Sequence, residues 1–151
     1  MIIRTTDTIA ETVVTSFALL EGVADQAGTL MYARLFETAP EVLPQFRRDL
    51  SEPSRRPAAT HRFMQLITFV RSAAECTAEG HAAGTKETVQ RLARRHVGYR
   101  TEAAHYAPLR EAMLWSLDQC LGEQFTSLVR CAWGEAYDRL AAAMIESLPT
   151  A

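Results

Sequence analysis

The chain has 151 residues, 48% hydrophobic and 23% charged, with a formal net charge of −2. That length suits one domain rather than two, and the composition is globular, with enough apolar material for a real core. The slightly acidic balance argues against nucleic acid as a partner, because phosphate recognition draws on a basic excess or stripe.

The first residues, Met1-Ile2-Ile3-Arg4, carry no signal pattern. No apolar run reaches the ~20 residues that span a bilayer. A soluble, cytoplasmic protein with no membrane partner is expected. Thr8 and Glu11 have the spacing of a capping box, and Ile9, Val13, Phe17 and Leu20 then form one helical stripe, ended by Gly22. A second helix is expected over about 24–36. Pro40 opens a short helix that carries Val42 and Leu43 towards Phe46.

Residues 47–57, charged and holding Pro53 and Pro57, read as a loop. A strong helix is expected over about 58–74, with Ala59, Phe63, Leu66, Ile67, Val70 and Ala74 on its apolar stripe. Gly80 and Gly84 mark 77–85 as a loop or frayed helix end. A short helix then returns over 86–96 with Val89, Leu92, Ala93 and His96 at spacings of three and four. Thr101 reads as the cap of a helix whose stripe is Tyr106, Leu109, Met113, Leu117 and Leu121, ended by Gly122. The last helix, over about 123–147, buries Phe125, Val129, Ala132, Trp133, Ala136, Leu140 and Met144. Nothing alternates with period two and nothing repeats, so the expected class is all-α, with seven or eight helices.

The three cysteines, Cys76, Cys120 and Cys131, are odd in number and never two residues apart. A disulfide framework, a zinc knuckle and covalent haem attachment through Cys-x-x-Cys-His are all disfavoured. The arginine pairs Arg47–Arg48, Arg55–Arg56 and Arg94–Arg95 read as solvated surface. Among the four histidines, His61, His81, His96 and His105, no two share a helical face at metal-ligand spacing. No phosphate-binding loop, dinucleotide fingerprint or nucleophile elbow occurs either. His96 differs from the others because it lies on an apolar stripe, one turn after Leu92. A histidine there is commonly a packed core residue. It is also what a haem iron needs, since one neutral imidazole suffices as the protein ligand.

The stretch Arg91-Leu92-Ala93-Arg94-Arg95-His96-Val97-Gly98-Tyr99-Arg100-Thr101-Glu102-Ala103-Ala104-His105-Tyr106 resembles the proximal region of bacterial single-domain globins and of flavohaemoglobin globin domains. Those families carry a His followed ten residues later by a Tyr, commonly as His-Tyr. Three further blocks agree in order: Tyr32-Ala33-Arg34-Leu35-Phe36 with Pro40-Glu41 and Phe46; Leu114-Trp115-Ser116-Leu117 with Leu121-Gly122-Glu123-Gln124-Phe125-Thr126; and Trp133-Gly134-Glu135-Ala136-Tyr137. The resemblance spans about residues 10–145.

It implies a three-over-three globin fold in a single domain over 1–151, with 1–7 as an N-terminal extension and 148–151 as a tail. It implies a non-covalent haem b (iron protoporphyrin IX) with His96 as the metal ligand. Phe46 would stack on the porphyrin, Leu92 would pack beneath it, and Tyr99 and Tyr106 would lie on the proximal side. Tyr32 would be the distal, catalytic tyrosine. Two departures stand out. If Phe63 is the apolar distal residue, Ala59 occupies the place where these families carry Gln or His. The glutamate expected on the last helix has no counterpart in register, Glu146 being about two residues away. His61 is no ready substitute for the distal donor, because two residues turn a helix by about 200° and place it with Gln65 and Thr68 on the outer face.

The activity implied is reversible binding of dioxygen, nitric oxide and carbon monoxide, as in oxygen transport, with nitric oxide dioxygenation as the reaction and a separate electron donor or reductase as partner. A gas sensor or carrier without catalysis, and a haem-less globin-fold interaction module, are the alternatives. Monomer and homodimer are both open.

Overall fold

The computed structural model describes residues 5–45, 50, 52–75 and 106–146. Among these residues there are five α-helices: α1 (Thr5–Glu21), α2 (Ala24–Thr38), α3 (Arg56–Glu75), α4 (Tyr106–Leu121) and α5 (Ser127–Glu146). Short 3-10 turns lie at Pro40–Gln45, Pro53–Arg55 and Gly122–Gln124. There is no strand among the described residues, as the single 3.6-residue period predicts.

The sequence stripes become the core. Ile9, Val13, Phe17 and Leu20 of α1 are buried, as are Ala59, Phe63, Ile67, Val70 and Ala74 of α3. In α5 the buried set is Ala132, Trp133, Ala136, Tyr137, Leu140, Ala141 and Met144. Helix α2 packs on α3 and α4, and α1 packs on α3 and α5, which also meets α3. Two details differ from the sequence expectation. Helix α1 already runs at Thr5, so Thr8 sits one turn inside it rather than capping it. Once a helix is nucleated, adding residues costs little, and the polar Thr5–Asp7 stretch extends it. At the other end, α5 starts at Ser127 rather than near 123, because Gly122 takes a left-handed φ of +55° and turns the chain. Thr126 then caps the helix, its Oγ1 accepting the Val129 N–H at 3.2 Å. Pro57 falls in the first turn of α3, where a missing N–H breaks no helical bond.

Long-range polar contacts fix how the layers meet. The buried Trp133 donates its indole N–H to Ser16 Oγ at 2.8 Å, tying α5 to α1. Tyr137 Oη donates to the Tyr106 carbonyl at 2.5 Å, tying α5 to the start of α4. The Arg110 guanidinium lies across Gly134 and pairs with Asp138 at 2.8 Å. These contacts explain the Trp-Gly-x-Ala-Tyr block physically: most of its residues are a fastening point between helices. No helix among the described residues is long and apolar enough to cross a membrane.

Candidate functional site

The site is built on the crossing of α2 and α3. At Gly28 the two backbones come so close that an added Cβ would lie 2.9 Å from the Ala59 carbonyl oxygen and 3.1 Å from Phe63 Cβ. Only hydrogen at that position permits the approach. Ala59 and Phe63, expected on the distal side, are both fully buried at this crossing.

Tyr32 lies one turn further along α2 and is 5% exposed. Its ring sits 6.0 Å from the Phe36 ring, centroid to centroid, with the planes tilted by 31°. Burial pushes the Tyr32 phenol well above its ordinary range, and the positive charge of Arg62 pulls it part of the way back. The phenol therefore stays protonated at neutral pH and keeps a proton to donate. Sequence reasoning did not single out Arg62. The signal was present: Arg62 immediately precedes Phe63 and lies one turn before the half-buried Leu66, on the flank of the apolar stripe. His61 is exposed with Gln65, while Thr68 is half-buried and bonds back to the Met64 carbonyl at 2.6 Å.

Tyr106, the other tyrosine of the expected site, opens the described part of α4 and is 8% exposed. Its carbonyl takes the Tyr137 hydrogen bond, but its own hydroxyl is buried with no hydrogen-bond partner among the described residues. Burial raises the Tyr106 phenol. It raises Tyr137 as well, with further pushes from the Tyr106 phenol and the Asp138 carboxylate and an opposing pull from Arg110. Phe46, Leu92, His96 and Tyr99 lie outside the described residues, as do His81 and His105. The structure therefore sets Ala59 and Phe63 against Gly28, one turn before Tyr32 on α2, and places Tyr106 on a separate helix.

These residues fit a haem. A ligating imidazole commits one ring nitrogen to iron, and the N–H of the other needs an acceptor. A buried hydroxyl left unsatisfied costs about 1–3 kcal/mol, and Tyr106 carries one. No group of three or more His, Cys, Asp or Glu side chains is placed to hold a metal ion among the described residues.

Comparison with known proteins agrees with the fold. A flavohemoglobin from Malassezia yamatoensis, solved with bound FAD and heme, superposes with a TM-score of 0.75 at 16% identity. The match covers 93% of this chain and 35% of that one, so this chain spans about a third of its length. The anaerobic nitrite reductase SYMA of Casuarina glauca is 28% identical over 116 residues, covering 74% of this chain and 76% of the relative. The anaerobic nitrite reductase HBII of the same plant is 25% identical over 136 residues, covering 87% and 85%. The family model described as Globin matches residues 29–144, and with the all-helical fold just described this chain belongs to the globin family.

Proposed function

We propose that this chain binds a non-covalent haem b through His96 and binds dioxygen and other diatomic gases at its iron. The observation that carries this is the Tyr106 hydroxyl, buried with no hydrogen-bond partner among the described residues of a chain of the globin family. A bound haem supplies an iron that takes a gaseous ligand and exchanges electrons. Everything else is the work of this chain's residues. His96 would hold the iron, with Phe46, Leu92 and Tyr99 as the further haem-binding residues the resemblance implies. The Tyr106 hydroxyl would be available to accept the second imidazole N–H. Ala59 and Phe63 close the distal wall and exclude water. Tyr32 offers its phenolic proton to charge that develops on the ligand.

The reaction that suits a gas site with a phenolic donor is nitric oxide dioxygenation. One nitric oxide, one dioxygen and one electron from a separate donor or reductase give one nitrate. A second reading, reduction of nitrite, is favoured by the names of the two plant relatives.

The deciding experiment is the absorption spectrum of protein expressed with ample haem. A Soret band is expected, and His96→Ala should abolish or displace it. No Soret band, even after haem titration, would leave the haem-less interaction module as the surviving alternative. Nitric oxide consumption by the reduced, oxygenated protein no faster than that of free haem would leave a sensor or carrier.

A further inference from the structure

Helix α2 packs on both α3 and α4, and its side chains divide by flank. Its buried arc is Ala24, Ala27, Gly28, Met31 and Leu35, with Tyr32 at one edge. Arg34 stands at the other edge, because two residues turn a helix by about 200°. On the α3 flank, Asp25 Oδ1 accepts the Thr60 hydroxyl at 2.8 Å, and Gly28 rests on the Ala59 carbonyl. On the α4 flank, Arg34 donates from Nη2 to Glu111 Oε1 at 3.2 Å. Its guanidinium also lies over the Trp115 ring, 5.1 Å from the centroid. Arg34 Nε is buried, with no hydrogen-bond partner among the described residues. The Arg34 carbonyl accepts the Thr38 hydroxyl at 2.9 Å, which holds the backbone of this last turn.

We propose that Arg34 is a positioning residue: its grip on Glu111 and Trp115 sets the roll of α2 and thereby the place of the Tyr32 phenol. The consequence for a bound gas rests on the haem reading given above; the placement of Tyr32 is a property of the chain itself.

An isolated surface ion pair contributes little to stability and is screened by salt. Here one guanidinium serves a carboxylate and an aromatic ring at once, which its forked edge and flat face allow and an ammonium does not reproduce. Burial of Nε pins the base of that group instead of leaving it to swing in water. The mechanics then follow from the two flanks. The close approach at Gly28 fixes the separation of α2 and α3 but not the angle of α2 about its own axis. The Asp25–Thr60 bond resists rotation in one sense, and Arg34, on the opposite flank and two residues from Tyr32, resists it in the other. The phenol stands at the end of a long side chain, so a small roll moves it further than it moves the backbone. Hydrogen bonds weaken steeply with misalignment, so a gas bound within reach of that phenol would register the roll.

Two measurements test this. The first is the nuclear magnetic resonance spectrum of the purified full chain carrying carbon-13-labelled tyrosine. The chain has four tyrosines, so the Tyr32 ring signals are assigned by their loss in Tyr32→Phe. Arg34→Leu should shift the Tyr32 signals and leave those of Tyr137, on α5, in place. Arg34→Lys should restore them only in part. Glu111→Gln, at an exposed position on α4, removes the partner's charge without touching α2 and should shift Tyr32 by less. It also decides the matter should the leucine variant fold poorly. Unmoved Tyr32 signals in Arg34→Leu and Glu111→Gln would overturn the inference. So would equal shifts at Tyr137, which would report a general loosening. The second measurement is dioxygen release from the ferrous, haem-loaded protein by stopped flow. Arg34→Leu should speed release about two- to fivefold, the worth of one half-exposed contact. In the Tyr32→Phe background the same substitution should change nothing, because the phenol it places is gone. Equal acceleration in both backgrounds would overturn the inference. A protein with no Soret band would end the haem reading, while the tyrosine signals would still decide whether Arg34 places Tyr32.

Discussion

Tyr32 and Tyr106 are almost equally buried, at 5% and 8% exposure, yet the two sides of the molecule use their tyrosines in different ways. At the α2–α3 crossing, the Tyr32 phenol is raised by burial and met by the charge of Arg62. At the α4–α5 contact, Tyr106 is fastened through its backbone carbonyl, and its hydroxyl has no partner among the described residues. One side is thus a polar site built over a tight backbone approach. The other is a rigid anchor with one acceptor held in reserve. Burial alone does not say which role a tyrosine has; the neighbours of its hydroxyl do.

The largest test of this contrast falls on the crossing itself. Gly28→Val should cost about 3 kcal/mol in urea unfolding, because backbone and not a flexible side-chain end opposes the new Cβ. A loss below about 1 kcal/mol would mean that the crossing relaxes and that Gly28 does not set the position of Tyr32. On the anchoring side, Tyr137→Phe removes the buried donor of the bond to the Tyr106 carbonyl. A stability loss of about 1–3 kcal/mol is expected in the same assay.

Tyr32→Phe should speed dioxygen release about tenfold, measured by stopped flow on the haem-loaded protein. An unchanged off-rate would remove Tyr32 from the ligand side. The smallest effect on folding belongs to Tyr106→Phe, which deletes a hydroxyl with no hydrogen-bond partner among the described residues. Stability of the haem-free protein should change by less than about 0.5 kcal/mol or rise slightly. The iron–imidazole stretching frequency of the loaded protein should shift in the same variant, as expected if that hydroxyl serves His96. A stable variant with an unmoved frequency would show that Tyr106 is packing alone.

Much of this molecule is legible in its residue order. The stripes Ile9–Val13–Phe17–Leu20 and Ala59–Phe63–Leu66–Ile67–Val70–Ala74 follow from a local period of 3.6 residues, and all of these side chains are buried except Leu66, which is half-buried. Ends were less legible. Thr8 has the chemistry of a cap but lies within α1, while Thr126, which does cap a helix, falls inside the 123–147 span that the apolar periodicity predicts. Capping chemistry permits an end at many positions, and only the competition between neighbouring turns decides where the end falls.

The sequence by itself determined the all-helical class, the buried faces and the ordered blocks shared with globins, since all three are local patterns read along one chain. It also marked Tyr32 and Tyr106. The tertiary structure decided what surrounds them. Trp133 and Ser16 are 117 residues apart, and Tyr137 and Tyr106 are 31 apart, and no local period couples such pairs. Arg62 is the clearest case. In sequence it is a charged residue beside an apolar stripe, which usually means solvent. Its relation to Tyr32 depends on how α3 is rolled about its own axis, and that roll is set by the closeness of Gly28 to Ala59.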